Sequence, residues 1–197
     1  MTDFTRLDDA ILTTLRAGVT ELRSAEPTLA LVACGLVEDL TGFFIAGADT
    51  EWLAELDDSG ELAWLPSEWP LSAEDPTDTP PGRVTSAIWE LVEDLPDDDG
   101  DDYSPTYDAL RVDYVDRIVR ALQIMREAGE LRRVDGGELW VWLHAADAYD
   151  EDLDDVTFAR LHDAETAAAF ATRFDGGHDA LVGRLINRPS SPEHPIG

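Results

Sequence analysis

The most constraining feature of this sequence is an apolar run of nine residues, Leu29 to Val37, without a single charge. A strand that is apolar on both alternating faces belongs at the centre of a sheet covered on two sides. A second strand is predicted from Phe43 to Ala48. The turn-like residues 38–42 between them predict an antiparallel hairpin.

Amphipathic helices are predicted on either side of this hairpin in the sequence. Apolar side chains recurring every three or four positions, together with capping and stop signals, predict helices over 2–24, 51–56, 84–95, 109–125 and 154–174. The last of these is expected to break near His162. A third strand is predicted over 138–145, after Gly136 and Gly137. Because strands and helices do not alternate regularly, the predicted class is α+β, with a small, mainly antiparallel sheet and several amphipathic helices packed on it.

The length of 197 residues suits a single domain, predicted over 1–188, followed by a proline-rich flexible tail over 189–197. The lone Cys34 has no partner for an internal disulfide, which indicates a reducing compartment. The N-terminus lacks the pattern of a signal peptide, and the apolar run is too short to span a membrane. The sequence therefore predicts a cytoplasmic protein that does not bind membranes.

The chain carries a formal charge of -29, and all 14 of its basic residues are arginines. The lack of lysine excludes a phosphate-loop lysine, a Schiff-base anchor and a lysine general base. So acidic a chain is also unsuited to direct nucleic-acid binding, which requires a basic face. Neither nucleophile-elbow, dinucleotide-binding nor zinc-protease motifs occur, and the four histidines show no metal-ligand spacing. We therefore expect no cofactor and no metal.

Acidic side chains are concentrated in two blocks, which are predicted to contact a basic partner. The predicted contact residues are Asp97, Asp98, Asp99, Asp101, Asp102, Asp150, Glu151, Asp152, Asp154 and Asp155. Placing Gly100 at the sixth position of a calcium loop puts Thr106 at the twelfth, where glutamate is required, so the EF-hand pattern fails. The alternative interpretation of both blocks is a solvated run of charge.

Trp64, Glu68 and Trp69 form the sharpest local cluster. Two indoles beside a carboxylate are suited to binding a cationic group. The alternative is a structural clamp, in which the indoles fill the core while Glu68 caps a turn or pairs with an arginine. A similar choice applies to Trp140 and Trp142, which share one face of the third strand: they form either an interaction surface or the floor beneath a covering helix.

The sequence Trp64-Leu65-Pro66-Ser67-Glu68-Trp69, following a hairpin and the short acidic helix ADTEWLAEL, resembles the bacterial domain-of-unknown-function family numbered 4303. The strand through Trp140 and Trp142 to Asp147 extends the resemblance, which covers most of residues 2–175. The chain departs from the family pattern after Asp147. The resemblance implies a fold and a small intracellular bacterial protein, but no activity.

Three functional hypotheses follow. The favoured one is a non-catalytic module that binds a basic protein, in an immunity-like or regulatory role, with steering by its negative field. The second is a DNA mimic that inhibits a nucleic-acid-binding enzyme. Its average surface carries about one charge per 300 Å², against roughly one per 100 Å² of duplex, so only the acidic blocks approach the required density. The third is an enzyme with a carboxylate and histidine site, for which His162 is the best candidate.

Overall fold

A computed structural model describes residues 3–37, 40, 42–56, 61–73, 80–93, 95, 104–146, 151–174 and 178–186. Its helices are α1 (Thr5–Ala25), α2 (Thr50–Glu55), α3 (Pro80–Glu93), α4 (Pro105–Glu127), α5 (Glu151–Leu161), α6 (Ala164–Phe170) and α7 (His178–Ile186). Its strands are β1 (Leu29–Val37), β2 (Phe43–Asp49), β3 (Leu71–Ala73) and β4 (Trp140–Ala146). Two 3₁₀ turns, Glu61–Trp64 and Pro66–Glu68, lie between α2 and β3.

The predicted hairpin forms the middle of a four-stranded sheet in the order β3-β2-β1-β4. β1 pairs antiparallel with β2, placing Cys34 opposite Ile45, and β2 pairs antiparallel with β3. On its other side β1 pairs parallel with β4, where Cys34 lies opposite Leu143. The sheet is thus mixed, two of its three pairings are antiparallel, and the α+β class is confirmed.

Helices cover both faces of the sheet, as the apolar character of β1 requires. On one face Val32, Cys34 and Leu36 pack with the apolar stripes of α1, α3 and α4. On the other, Leu31 and Ala33 pack with α2, α6, α7 and the 3₁₀ turns. β1 is therefore a central strand buried on two sides.

α1 approaches the sheet closely because of a glycine in its buried stripe. A Cβ atom at Gly18 would lie 2.4 Å from Cδ1 of Ile45 on β2. Glycine costs roughly 1 kcal/mol relative to alanine inside a helix, and here the contact with Ile45 offsets that cost.

Three features depart from the sequence predictions. β3 and α7 were not predicted, and the parallel pairing of β4 with β1 is not deducible from local sequence. The predicted break near His162 is confirmed, since α5 ends at Leu161 and α6 begins at Ala164 with Asp163 as its N-cap. The predicted tail over 189–197 lies outside the described residues.

Candidate functional site

The tryptophan cluster lies inside the protein. Trp64 and Trp69 are only 1% and 6% exposed. Trp64 stacks on Trp140, with ring centroids 6.3 Å apart, and Trp69 meets Trp142 edge-on at 5.2 Å. Nε1 of Trp69 donates a hydrogen bond to the Ala63 carbonyl oxygen at 3.2 Å. Both indoles thus fill the core, as the structural-clamp alternative predicts for them.

Glu68 does not lie between the two indoles. It is exposed on the second 3₁₀ turn, where its backbone N–H donates to the Leu65 carbonyl oxygen at 2.9 Å. A cation-binding pocket needs the carboxylate and the aromatic faces to open onto one space. The pocket predicted from Trp64, Glu68 and Trp69 is thus not formed, because packing in the sheet core removes both indoles from the surface.

Trp140 and Trp142 are buried as well, which excludes an exposed aromatic face on β4. The ring of Phe158 on α5 lies over that of Phe170 on α6 in a parallel stack with centroids 3.9 Å apart. Both phenylalanines contact the two tryptophans of β4. The covering-helix interpretation of this strand face is therefore correct.

Two carboxylates of the second acidic block, 150–155, point into the protein. Asp154 is 4% exposed, and Asp155 is half-buried. Nη1 of Arg173 donates a hydrogen bond to Oδ1 of Asp155, and Nη2 of Arg173 lies 3.8 Å from Oδ2 of Asp154. Arg173 itself is 1% exposed, and its guanidinium lies over the Phe170 ring at 4.2 Å. These two carboxylates therefore belong to an internal charge network around Arg173.

His144, at the end of β4, completes this network. Its Nδ1 lies 3.2 Å from both carboxylate oxygens of Asp154. Burial raises the pKa of Asp154, while the hydrogen bond from His144 and the charge of Arg173 oppose that rise. Buried carboxylates of this kind are normally paired, because an isolated buried charge is very costly. Because the Asp154 carboxylate is paired with the Arg173 guanidinium, we interpret this network as structural.

His162 forms hydrogen bonds at the outer edge of β4. The backbone N–H of Val141 donates to Nε2 of His162 at 3.1 Å, and Nδ1 of His162 lies 3.0 Å from Oε1 of Glu138. Arg126 pairs with Glu138 and brings its Nη1 to 3.3 Å from the imidazole. The side chain is fully buried, and desolvation lowers the pKa of His162 to about 4. A buried, neutral imidazole bonded to backbone is a structural group, so the catalytic interpretation of His162 gains no support.

A surface groove between α4 and α5 is the described feature best suited to binding another molecule. Its volume is about 480 Å³. Asp108, Arg111, Val112, Val115 and Asp116 of α4 line one wall, and Asp152, Leu153, Val156 and Arg160 of α5 line the other. Val112 and Val156 are 61% and 57% exposed. The surface that the groove exposes is mostly apolar, although five of these nine lining residues are charged.

The two helices that form the groove run side by side in the same direction. Asp108 in the first turn of α4 and Asp152 in the first turn of α5 line the same groove, and about two turns further along Nη1 of Arg160 lies 2.7 Å from Oδ1 of Asp116. A helix advances 1.5 Å per residue, so both first turns lie roughly 14–17 Å from the Arg160 ion pair, towards the same end. The first acidic block, 97–102, precedes α4 in the sequence, and the second, 150–155, overlaps the first turns of α5.

The predicted contact residues thus have different surroundings. Asp152 is exposed at the border of the groove, whereas Asp154 and Asp155 face Arg173. Asp97, Asp98, Asp99, Asp101, Asp102 and Asp150 lie outside the described residues, as does the side chain of Glu151. Sequence reasoning missed the groove, although Val112 and Val115 are part of the periodic pattern that predicted α4.

No family model matches this chain, and neither a curated protein nor a solved structure matches it. The resemblance to family 4303 therefore remains a prediction. In the described part of the chain, no helix has both the length and the apolar character needed to cross a bilayer. Within the same residues, no three histidine, cysteine, aspartate or glutamate side chains are grouped so that they could hold a metal ion.

Proposed function

We propose that this chain is a non-catalytic binding protein for a basic protein partner, in an immunity-like or regulatory role. The observation that best supports this proposal is that many of its arginines already form ion pairs with carboxylates of the same chain. Ion pairs between helices join Arg6 to Glu90, Arg117 to Asp8, Arg160 to Asp116 and Arg184 to Glu165, and another joins Arg16 of α1 to Glu130, just after α4. Arg126 and Arg173 pair inside the networks described above. Because these cations already have partners, the excess carboxylates dominate the outward field.

A long segment without basic residues includes α2 and the 3₁₀ turns. Between Arg23 and Arg83 the sequence contains no basic side chain. Among the described residues of this segment, Glu51, Glu55, Glu61 and Glu68 have exposed carboxylates. A negative field of this kind raises the association rate with a cationic protein by about ten- to a thousandfold at low salt.

A cytoplasmic setting and membership of bacterial family 4303 are part of the same proposal. Cys34 is a free thiol buried on β1. Burial raises the pKa of Cys34 to about 12, so the thiol stays protonated and unreactive. This agrees with a reducing compartment, where no disulfide is needed for stability.

The proposal is tested by affinity capture from the source cell at about 50 and about 300 mM NaCl, since electrostatic association weakens as ionic strength rises. The control bait is an unrelated protein of similar net charge. We expect a basic protein that is captured by this chain but not by the control, and that is lost at the higher salt. Recovery of no basic protein at either salt overturns the proposal.

A DNA-mimic role is the second candidate, and the arrangement of α4 and α5 favours it. Mimicry requires the two acidic blocks to lie side by side, and Asp108 and Asp152, in the first turns of α4 and α5, line one groove. The two candidates differ in the partner's behaviour. A mimic competes with duplex for the captured protein, whereas a partner that binds the chain equally well with and without duplex excludes mimicry.

A further inference from the structure

We infer that the groove between α4 and α5 docks an amphipathic helical segment of the partner, with apolar side chains on one face and arginine or lysine beside them. This inference rests on the proposed function and names the surface and the kind of segment that would be recognised. It depends on the described side chains of the two helices alone.

The floor of the groove is apolar and open to solvent. Val112 and Val115 are three residues apart on α4, as are Leu153 and Val156 on α5, so each pair lies on one face of its helix. Single exposed valines are common on protein surfaces. Here two are more than half exposed, on adjacent helices, above half-buried neighbours. They form a continuous apolar strip within a groove of about 480 Å³.

The groove between two parallel helices is shaped to receive a third helix. Side-chain ridges of one helix fit into the grooves of another, and an amphipathic segment bound in this way anchors itself at positions i, i+3, i+4 and i+7. The ion pair between Arg160 and Asp116 joins the two walls.

The charge around the strip selects a cationic occupant. Asp108 and Asp152 are exposed, one on each wall, and lie where positive side chains flanking the apolar stripe of a docked helix would reach them. Among the described lining residues, the guanidinium groups are those of Arg160, which is bound to Asp116, and Arg111, which is half-buried. A second copy of this chain is disfavoured, because each molecule carries a formal charge of -29.

The test uses two synthetic peptides of about 18 residues with identical composition, leucine and arginine with alanine. One places its leucines in a helical stripe, and the other distributes them so that no stripe forms. Binding is measured by fluorescence anisotropy, and the surface is mapped by amide chemical shifts of the wild-type protein. We expect the striped peptide to bind about tenfold tighter, with shifts concentrated on α4 and α5, since a buried apolar stripe adds to the shared electrostatic attraction.

The double variant Val112→Asp with Val156→Asp is the decisive comparison. It adds negative charge, so purely electrostatic binding would strengthen, while docking on the apolar strip would weaken. We expect the tenfold preference for the striped peptide to disappear. Val134→Asp is the matched control, because Val134 is 71% exposed in a turn away from the groove. It should leave the preference intact. If the double variant does not fold, Val112→Ser with Val156→Ser and the wild-type shift map provide the same test.

The outcomes separate this inference from the proposed function. Equal binding of both peptides, unchanged in the double variant, overturns the groove but leaves attraction to basic partners standing. Failure of both peptides to bind at about 50 mM salt, where the Debye length is well over 10 Å, overturns both ideas. A concentration-dependent dimer that the double variant abolishes assigns the groove to a second copy and overturns the inference.

Discussion

Arg173 is a buried arginine whose charge is compensated by neighbouring carboxylates. It is almost fully buried beside Asp154 and Asp155, with its guanidinium over aromatic rings. Arginine is rarely buried to this extent unless it is paired. Removing it would leave buried Asp154 with His144 as its remaining partner and without the arginine charge that compensates it.

We expect Arg173→Met to lower the free energy of unfolding by about 3 kcal/mol, the usual cost of breaking a buried pair from one side. Arg184→Met is the control, because Arg184 and Glu165 are 48% and 85% exposed and such pairs contribute less than about 1 kcal/mol. Urea unfolding of both variants at neutral pH measures the difference. Equal losses would contradict the structural role given to Arg173.

His162 makes the stability of the protein depend on pH. In the folded protein its pKa is lowered to about 4 by burial, whereas in the unfolded chain it titrates near 6.5. The unfolded chain therefore binds more protons between these values, and stability falls as the pH decreases from 6.5 towards 4. The full effect is on the order of 3 kcal/mol.

The variant His162→Gln isolates this effect, because an amide can still bond the backbone of Val141 but does not titrate in this range. We expect the variant to gain stability relative to wild type as the pH is lowered from about 7 to about 5, as measured by urea midpoints. Buried Asp154, whose raised pKa acts in the opposite direction, is present in both proteins and cancels. A pH-independent difference would mean that His162 is not buried as a neutral group.

The buried indoles predict a large difference between neighbouring residues of the 3₁₀ turns. We expect Trp64→Ala to cost roughly 3–5 kcal/mol, because its side chain fills the core against Trp140 and Phe170. Glu68→Gln, on the exposed surface, should change stability by less than about 0.5 kcal/mol. Thermal unfolding distinguishes them. A Trp64→Ala protein as stable as wild type would revive the pocket interpretation.

At the scale of elements, α5 takes the place of a neighbouring strand along β4. Oγ1 of Thr157 accepts a hydrogen bond from the Leu143 N–H at 3.1 Å, as His162 does from Val141. Two backbone groups on the outer side of β4 are thus bonded to side chains of one helix and its C-terminal end. α5 therefore follows the outer edge of β4, while its Phe158 packs on the tryptophan face of that strand.

Thr157→Val is therefore expected to cost about 1–3 kcal/mol, since it leaves the Leu143 N–H buried without its acceptor while preserving side-chain shape. Thr172→Val is the matched control, because Thr172 is exposed and bonds only to the Ala169 carbonyl oxygen of its own turn. Hydrogen exchange of the Leu143 amide gives a local readout. It should accelerate in Thr157→Val alone.

Most elements were predictable, since their signals are local. The stripes of α1 and α4 and the apolar alternation of β1, β2 and β4 are visible in short windows. β3 has only three residues, Leu71–Ala73, too few for a periodic pattern. The parallel pairing of Leu31 with Trp140 joins positions more than a hundred residues apart, so no local pattern could have indicated it.

The candidate site was less predictable than the fold, because it depends on which charges meet in space. An acidic run gives no sign that Asp154 and Asp155 will face Arg173, which lies eighteen residues beyond Asp155. Trp64 and Trp69 offered two interpretations, and the burial that decides between them follows from sheet packing. The groove depends on the side-by-side placement of α4 and α5, a tertiary arrangement.

At the scale of the whole molecule, the formal charge of -29 predicts that salt stabilises the fold. Self-repulsion among carboxylates destabilises the compact state, and screening relieves it. We expect the melting temperature to rise by several degrees between about 20 and about 500 mM NaCl, equivalent to roughly 1–2 kcal/mol for a chain of this length. A melting temperature that falls with salt would show that the inter-element ion pairs outweigh the repulsion.

The occupied outer side of β4 has a consequence for encounters between chains. An unpaired strand edge is a template on which a foreign or identical polypeptide can extend the sheet, the first step towards amyloid-like growth. Because Leu143 is bonded to Thr157 of α5 and Val141 to His162 just beyond it, these backbone groups are not available to pair with another strand. The shared negative charge also keeps neighbouring copies apart. Even where the chain is abundant, sheet-to-sheet polymerisation through β4 requires α5 to detach first.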